Sequence, residues 1–180
     1  MQSVIAGEMD QDFELGLKRI LASSSTYTEA IGRYILDAGG KRIRPRIVTL
    51  VGEALGLRGD LCLPFACTVE LMHTASLLHD DVVDGTVLRR SKPTANQVFG
   101  DKPALLAGDF MSATAIEIMC SLGNMRLAVS MVRTIKKMAE GELKELEHTR
   151  SFHDRLDVYL DIIYLKTASL FELCSTGPGI

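Results

Sequence analysis

Tryptophan is absent, aromatic residues amount to 6%, and proline occurs five times in 180 residues. Runs of alternating β-branched residues are missing as well, so the half-buried pleated surfaces of a β protein have little to be built from. The four cysteines, Cys62, Cys67, Cys120 and Cys174, show no CxxC spacing and read as reduced core residues of a cytoplasmic protein. A strong charge of either sign is also lacking. The net charge of −3 gives no global attraction for nucleic acid, and any basic function has to be local. The first residues lack the basic region and long apolar segment of an ordinary secretory signal. The longest apolar stretch, 104–122, is interrupted by Asp109 and Glu117, whereas a membrane span needs roughly 20 nearly uncharged residues.

What the chain does contain is Leu, Ala, Ile and Met, within a 47% hydrophobic composition. That suffices for a core in one all-helical domain over residues 1–180. Apolar periodicity predicts helices over about 8–21, 28–37, 45–55, 64–83, 103–122, 126–148 and 154–174. Ser23, Ser24 and Ser25 break the first from the second, and Gly39-Gly40 suits a left-handed C-cap after it.

The chain is arranged around residues 70–90. On a helix ending near Val83, Glu70, His73, Leu77, Asp80 and Asp84 fall in one narrow sector. Asp80, Asp81 and Asp84 crowd the last turn, where the macrodipole is already negative and like charges four apart repel. A cation must offset that cost. Such breaks of local rules tend to mark functional sites.

Cations gather in two other places. Lys41, Arg42, Arg44 and Arg46 sit at the start of a helix whose first turn holds Pro45, which makes an anion site; the competing reading is a solvated basic face. Arg89 and Arg90 follow the aspartates and project in different directions, so they suit two anions; alternatively they form surface salt bridges with those aspartates. Further along, Glu142 interrupts the stripe Met131, Ile135, Met138 and Leu146, and a carboxylate facing the core needs a partner. The last helix has the stripe Leu156, Tyr159, Ile163, Leu170 and Cys174, with Thr167 inside it and Lys166 at its edge, where snorkelling is the plain alternative. Paired carboxylates suit Mg²⁺, which keeps waters and joins carboxylates to substrate phosphates. With the cations, they describe a site for one or two diphosphates.

The chain resembles the trans-type polyprenyl diphosphate synthases. The resemblance runs from Gly39 to Phe171 and rests on Gly39-Gly40-Lys41-Arg42-x-Arg44-Pro45, on His73 seven residues before Asp80-Asp81-x-x-Asp84, on Leu88-Arg89-Arg90, on Gly108-Asp109 and on Lys166-Thr167. It implies an antiparallel helical bundle of the isoprenoid synthase type, here its N-terminal portion, with the medium- and long-chain members as the nearest kin. It further implies that Asp80 and Asp84 hold Mg²⁺ against an allylic diphosphate, with Asp81 supporting. Arg89 and Lys166 would contact that diphosphate, and Lys41, Arg44, His73 and Arg90 would bind isopentenyl diphosphate. Thr167 would lie near the reacting carbons. Many relatives carry Gln where Glu142 stands. A homodimer is expected, with peripheral membrane contact for product release.

Two further expectations follow. If the product grows along the helix below Asp80, the small Ala75 and Ser76 let it pass and Met72 is a softer obstacle one turn deeper, so a medium-to-long product is predicted. The second aspartate-rich segment of such synthases does not occur within the 180 residues, which reads as a truncated domain, inactive alone, with apolar surface left to self-associate or to meet the missing half. Two rivals compete. Glu70-x-x-His73 and Glu145-x-x-His148, with Glu29, Glu117 and Glu172, could form a ferritin-like di-iron site, though this leaves the basic segments unexplained. A non-catalytic regulatory subunit of a two-component synthase is the other.

Overall fold

Helix α4 (Gly59–Val83) is the axis of the molecule, because its residues give it nowhere else to be. Phe65, Ala66, Cys67, Val69, Leu71, Met72, Ala75 and Leu78 are all buried, and a helix apolar on most of its circumference must be surrounded. The computed structural model describes residues 2–22, 25–149 and 155–180 and shows how this is met. Helices α1 (Gln2–Ile20), α3 (Ile43–Ala54) and α6 (Asp101–Ser121) pack on α4, the last most extensively. Leu17, Val48, Met111 and Met119 are the buried side chains they contribute. Helices α2 (Thr26–Asp37) and α5 (Ala95–Phe99) lie against α6, while α7 (Met125–Thr149) runs beside α6 and the C-terminal helices α8 (Leu156–Ile163) and α9 (Ser169–Thr176).

The all-α expectation holds, with instructive local departures. The breaker residues Ser23 and Ser24 and the expected start at Asp154 lie outside the described residues. Helix α4 begins at Gly59 and not near Pro64, so the proline sits inside it and removes one backbone donor in the second turn. Thr68 Oγ1 donates to the Pro64 carbonyl at 2.8 Å. A minimal antiparallel hairpin, β1 (Leu88–Arg89) with β2 (Lys92–Pro93), follows α4. Its two-residue turn is Arg90-Ser91, with φ of 52° and 64°, the left-handed pair that matches strand twist.

The expected last helix is interrupted: between α8 and α9 the chain forms a π-turn, Tyr164–Ala168, closed by the Ser169 N–H on the Tyr164 carbonyl. Its apolar stripe is also divided. Leu170 and Cys174 are buried, whereas Leu156, Tyr159 and Ile163 are exposed. Nor are all the thiols in the core. Burial pushes Cys67 and Cys174 up to about 12, which makes them inert, but Cys120 is exposed. Two segments, Leu61–Val83 and Asp101–Ser121, are long and apolar enough to cross a membrane by length and composition, and here they pack on each other within the bundle.

Candidate diphosphate site around helix α4

The last three turns of α4 divide two cavities of opposite character. On one side lies a basic pocket of about 460 Å³, lined by Gly40, Lys41, Arg44, His73 and Arg90. Local backbone geometry brings these together. Gly39, at φ 68°, ends α2 in the left-handed conformation and Arg42, at φ 47°, turns the chain into α3. The cost of that uncommon conformation at Arg42 is offset by its guanidinium, which reaches Glu14 at 2.8 Å and Glu70 at 2.7 Å. Arg42 is therefore a structural member of the basic run, and the buried Glu70 it neutralises leaves the other cations unopposed. The hairpin closes the pocket from above. The Arg90 guanidinium donates to the Gly39 carbonyl, Lys92 Nζ to the Asp37 carbonyl at 3.2 Å and Tyr34 Oη to the Pro93 carbonyl at 2.6 Å.

Two groups in this pocket carry the mark of its electrostatics. Burial lowers the Arg44 pKa, its guanidinium lies 4.4 Å from the Phe171 ring centroid, and its Nε is buried without a hydrogen-bond partner. His73 is pushed down to about 3, first by burial and then by Arg44, Arg90, Arg89 and Arg42. It is a neutral imidazole in a ring of cations. An unsatisfied buried donor beside uncompensated positive charge is what an anion relieves.

On the other side of α4 a cavity of about 420 Å³ is lined by Met72, Ser76, Asp80, Met138, Glu142 and Lys166, with Leu146 at its wall. Its mouth is acidic and its depth apolar. Burial, Glu142 and Asp84 raise the Asp80 carboxyl to about 6 against the pull of Lys166 and Arg89. Glu142, the carboxylate whose partner the sequence left open, meets Lys166 Nζ at 2.7 Å, and Glu145 meets the same ammonium at 2.5 Å. Burial lowers the Lys166 pKa, but these two carboxylates more than reverse that and hold it above the usual value. Asp84, the C-cap of α4, is exposed and has no ion-pair partner among the described residues. His79 lines the same cavity, with Nε2 3.2 Å from both the Leu105 carbonyl and Asp109 Oδ1; a Cβ on Gly108 would stand 2.6 Å from that nitrogen.

The single sector expected for residues 70–84 thus splits. Glu70, His73, Leu77 and Asp81 face the basic side, and Asp80 faces the cavity. Asp81 is buried and takes both Nε (2.9 Å) and Nη2 (2.7 Å) of the half-buried Arg89 on one oxygen, so the salt-bridge alternative holds for Arg89. Arg90 does not share it. Ser76 and Met72 line the cavity as expected, whereas Ala75 is packed in the core, 1% exposed, and does not. Thr167 is exposed on the π-turn. The sequence reading missed the hairpin, Glu145 as a partner of Lys166, and Gly141, although an isolated glycine beside Glu142 in a helix was a visible signal.

The donor set fits a hard divalent cation: two carboxylates four residues apart, one destabilised by burial and like charge and the other without a cationic partner among the described residues. It does not fit di-iron. Glu70 is taken by Arg42 and Glu145 by Lys166, and among the described residues no three His, Cys, Asp or Glu side chains are grouped so as to ligate iron. No observation favours a non-catalytic subunit.

An all-α bundle whose central helix separates a cationic pocket from an acid-mouthed apolar cavity has the architecture of an isoprenoid synthase. Residues 25–177 match the polyprenyl synthetase family model, and the chain belongs to that family. It is 41% identical over 150 residues to octaprenyl diphosphate synthase of Escherichia coli K12, covering 83% of this chain and 46% of that protein. The fold superposes with a TM-score of 0.92 and 34% identity on polyprenyl synthase of Caulobacter crescentus CB15 complexed with calcium and isoprenyl diphosphate, covering 97% and 53% of the two chains. It also matches a decaprenyl diphosphate synthase of Rhodobacter capsulatus, with a TM-score of 0.91, 32% identity and coverage of 98% and 55%. The chain spans about half the length of these relatives, and its kinship is with synthases of medium and long products.

Proposed function

We propose that the chain is the N-terminal portion of a trans-polyprenyl diphosphate synthase, which joins isopentenyl diphosphate to an allylic diphosphate. One observation carries this reading: Lys41, Arg44, His73 and Arg90 line one pocket, and Asp80 and Lys166 face an apolar cavity across the same helix. The basic pocket holds the isopentenyl diphosphate, with Lys41, Arg44 and Arg90 supplying charge and neutral His73 an N–H. Asp80 and Asp84 would hold Mg²⁺, which when bound neutralises charge on the allylic leaving group. Lys166 directs its ammonium to that same diphosphate, and Arg89 supports from its place on Asp81. The allylic tail lies between Met72, Ser76 and Met138, whose walls keep water from the reacting carbon.

The C1–O bond breaks with its electron pair leaving on the diphosphate. The isopentenyl double bond then attacks C1, and a proton from the new chain passes to the released diphosphate. Exposed Thr167 stands at the turn beside Lys166, where its dipole can face developing positive charge. The exposed apolar residues Leu106, Met125 and Val132 on α6 and α7 support a homodimer, and the free cysteines accord with the cytoplasm. A long apolar product supports peripheral membrane contact on release.

The test incubates the chain with Mg²⁺, labelled isopentenyl diphosphate and a set of allylic primers, alone and paired with a polypeptide supplying the second acidic segment. Metal-dependent incorporation into extractable products of six or more prenyl units is expected in the paired arm. No incorporation in either arm, together with no binding of pyrophosphate, overturns the reading.

A further inference from the structure

We propose that Gly141 and Tyr164 are positioning residues that hold the π-turn in the register setting the Lys166 ammonium into the cavity, an inference that rests on the role given to Lys166 above. A π-turn is rare, and its looser geometry persists where surrounding contacts fix it. Two sets of contacts hold this one in place. On the inside, α7 touches the turn through Gly141. A Cβ there would lie 2.6 Å from the Lys166 backbone nitrogen, 2.9 Å from Leu165 Cβ and 3.0 Å from the Leu165 carbonyl carbon. The obstruction includes backbone, which cannot swing aside. Gly141 directly precedes Glu142, so the close approach also places the carboxylate that takes the ammonium at 2.7 Å.

At the surface, Tyr164, the first residue of the turn, is tied to α7 and to α9. Its hydroxyl accepts from Lys137 Nζ on α7 at 2.9 Å and donates to Glu172 Oε2 on α9 at 2.7 Å. Lys137 stands one helical turn before Gly141, and its ammonium lies 5.0 Å from the Tyr164 ring centroid. The phenol therefore ties the start of the π-turn to α7 and, across the extra residue of the turn, to α9. Relaxation of the turn to regular α-helix would rotate one piece against the other by about 100°. Leu170, Leu173 and Cys174 anchor α9 in the core, so the rotation would fall on the side that carries Lys166.

The experiment compares Y164F, K166M and the double variant, with G141A as a harsher probe. Lysine-labelled protein is first read by NMR for the paired, slowly exchanging Lys166 ammonium, identified by its loss in K166M. Loss of that signal in folded Y164F is expected. In the arm that turns over, the KM for the allylic diphosphate should rise about five- to tenfold, with the KM for isopentenyl diphosphate unchanged. In the K166M background Y164F should add almost nothing, because a residue acting through Lys166 has no further effect once it is gone. A retained ammonium signal in Y164F, equal effects on both substrates, or independent multiplication in the double variant each overturn the proposal. If G141A does not fold, Y164F decides. If no arm turns over, the ammonium signal still decides positioning, and the missing turnover counts against the proposed function alone.

Discussion

The two sides of α4 treat charge in opposite ways. In the basic pocket one carboxylate, Glu70, is paired with Arg42, and Lys41, Arg44 and Arg90 line the space with no carboxylate partner among the described residues. In the cavity one ammonium, Lys166, is shared by Glu142 and Glu145, with Asp80 near it and Asp84 near Asp80. The first side can take an anion directly. The second can take an anion only through a cation placed between, because its carboxylates would otherwise repel it. The same helix thus gives two diphosphates distinct modes of capture, and mutations on its two faces should separate them.

The largest effect is expected on the acidic side. Asp80→Asn should lower kcat by about 10³-fold, the scale of losing a principal stabiliser of developing charge, with the KM for isopentenyl diphosphate unchanged in steady-state assays. Equal damage to both substrates would break the division proposed here. Next comes Arg44→Gln, for which a roughly ten- to hundredfold rise in the KM for isopentenyl diphosphate is expected, from about 1.5–3 kcal/mol per charge-assisted hydrogen bond. Its allylic KM should stay put.

The cavity walls give a finer contrast. Ser76→Phe should shorten the product on reversed-phase chromatography at near-normal thermal stability, because Ser76 borders open space. Ala75→Phe is instead expected to cost about 1–3 kcal/mol in denaturant unfolding, because Ala75 is enclosed by the core. The smallest effect concerns His73. Its imidazole signals should stay flat from pH 8 to 5 and move only near 3, and added pyrophosphate should shift that titration upward. The sign for stability follows. The folded state refuses a proton that the unfolded chain accepts below about 6.5, so His73 withdraws stability as pH falls from 6.5 toward 3 and contributes no slope above that window. His73→Gln should flatten that part of an acid unfolding curve.

Much of this was legible in the residues because the signals were local. A helix bearing apolar side chains on nearly every face is a central helix, and three aspartates at its end announce a cation. Gly39 marks a left-handed cap, and basic residues around Pro45 mark a helix start. Periodicity also showed that Glu142 faces inward and lacks a partner within its own helix. What it could not show is which chain would meet it. Lys166 lies 24 residues further on, at the edge of a stripe where an ordinary surface lysine would read the same.

The misplaced residues share one cause. Ala75 and Ser76 are neighbours separated by about 100° on the helix, and which of them borders a cavity depends on where α6 and α7 lie. The π-turn escaped because no propensity encodes it; it exists where Gly141 and Tyr164 fix it from outside.

By itself the sequence determined the helical class, the central helix and the inventory of acids and bases, since those depend on spacing along one chain and on the chemistry of each residue. The tertiary structure alone decided which charges meet: Arg42 with Glu70, Arg89 with Asp81, Lys166 with Glu142 and Glu145. Charge pairing acts through space over a few ångströms, and residues far apart in sequence come that close only when the helices have packed.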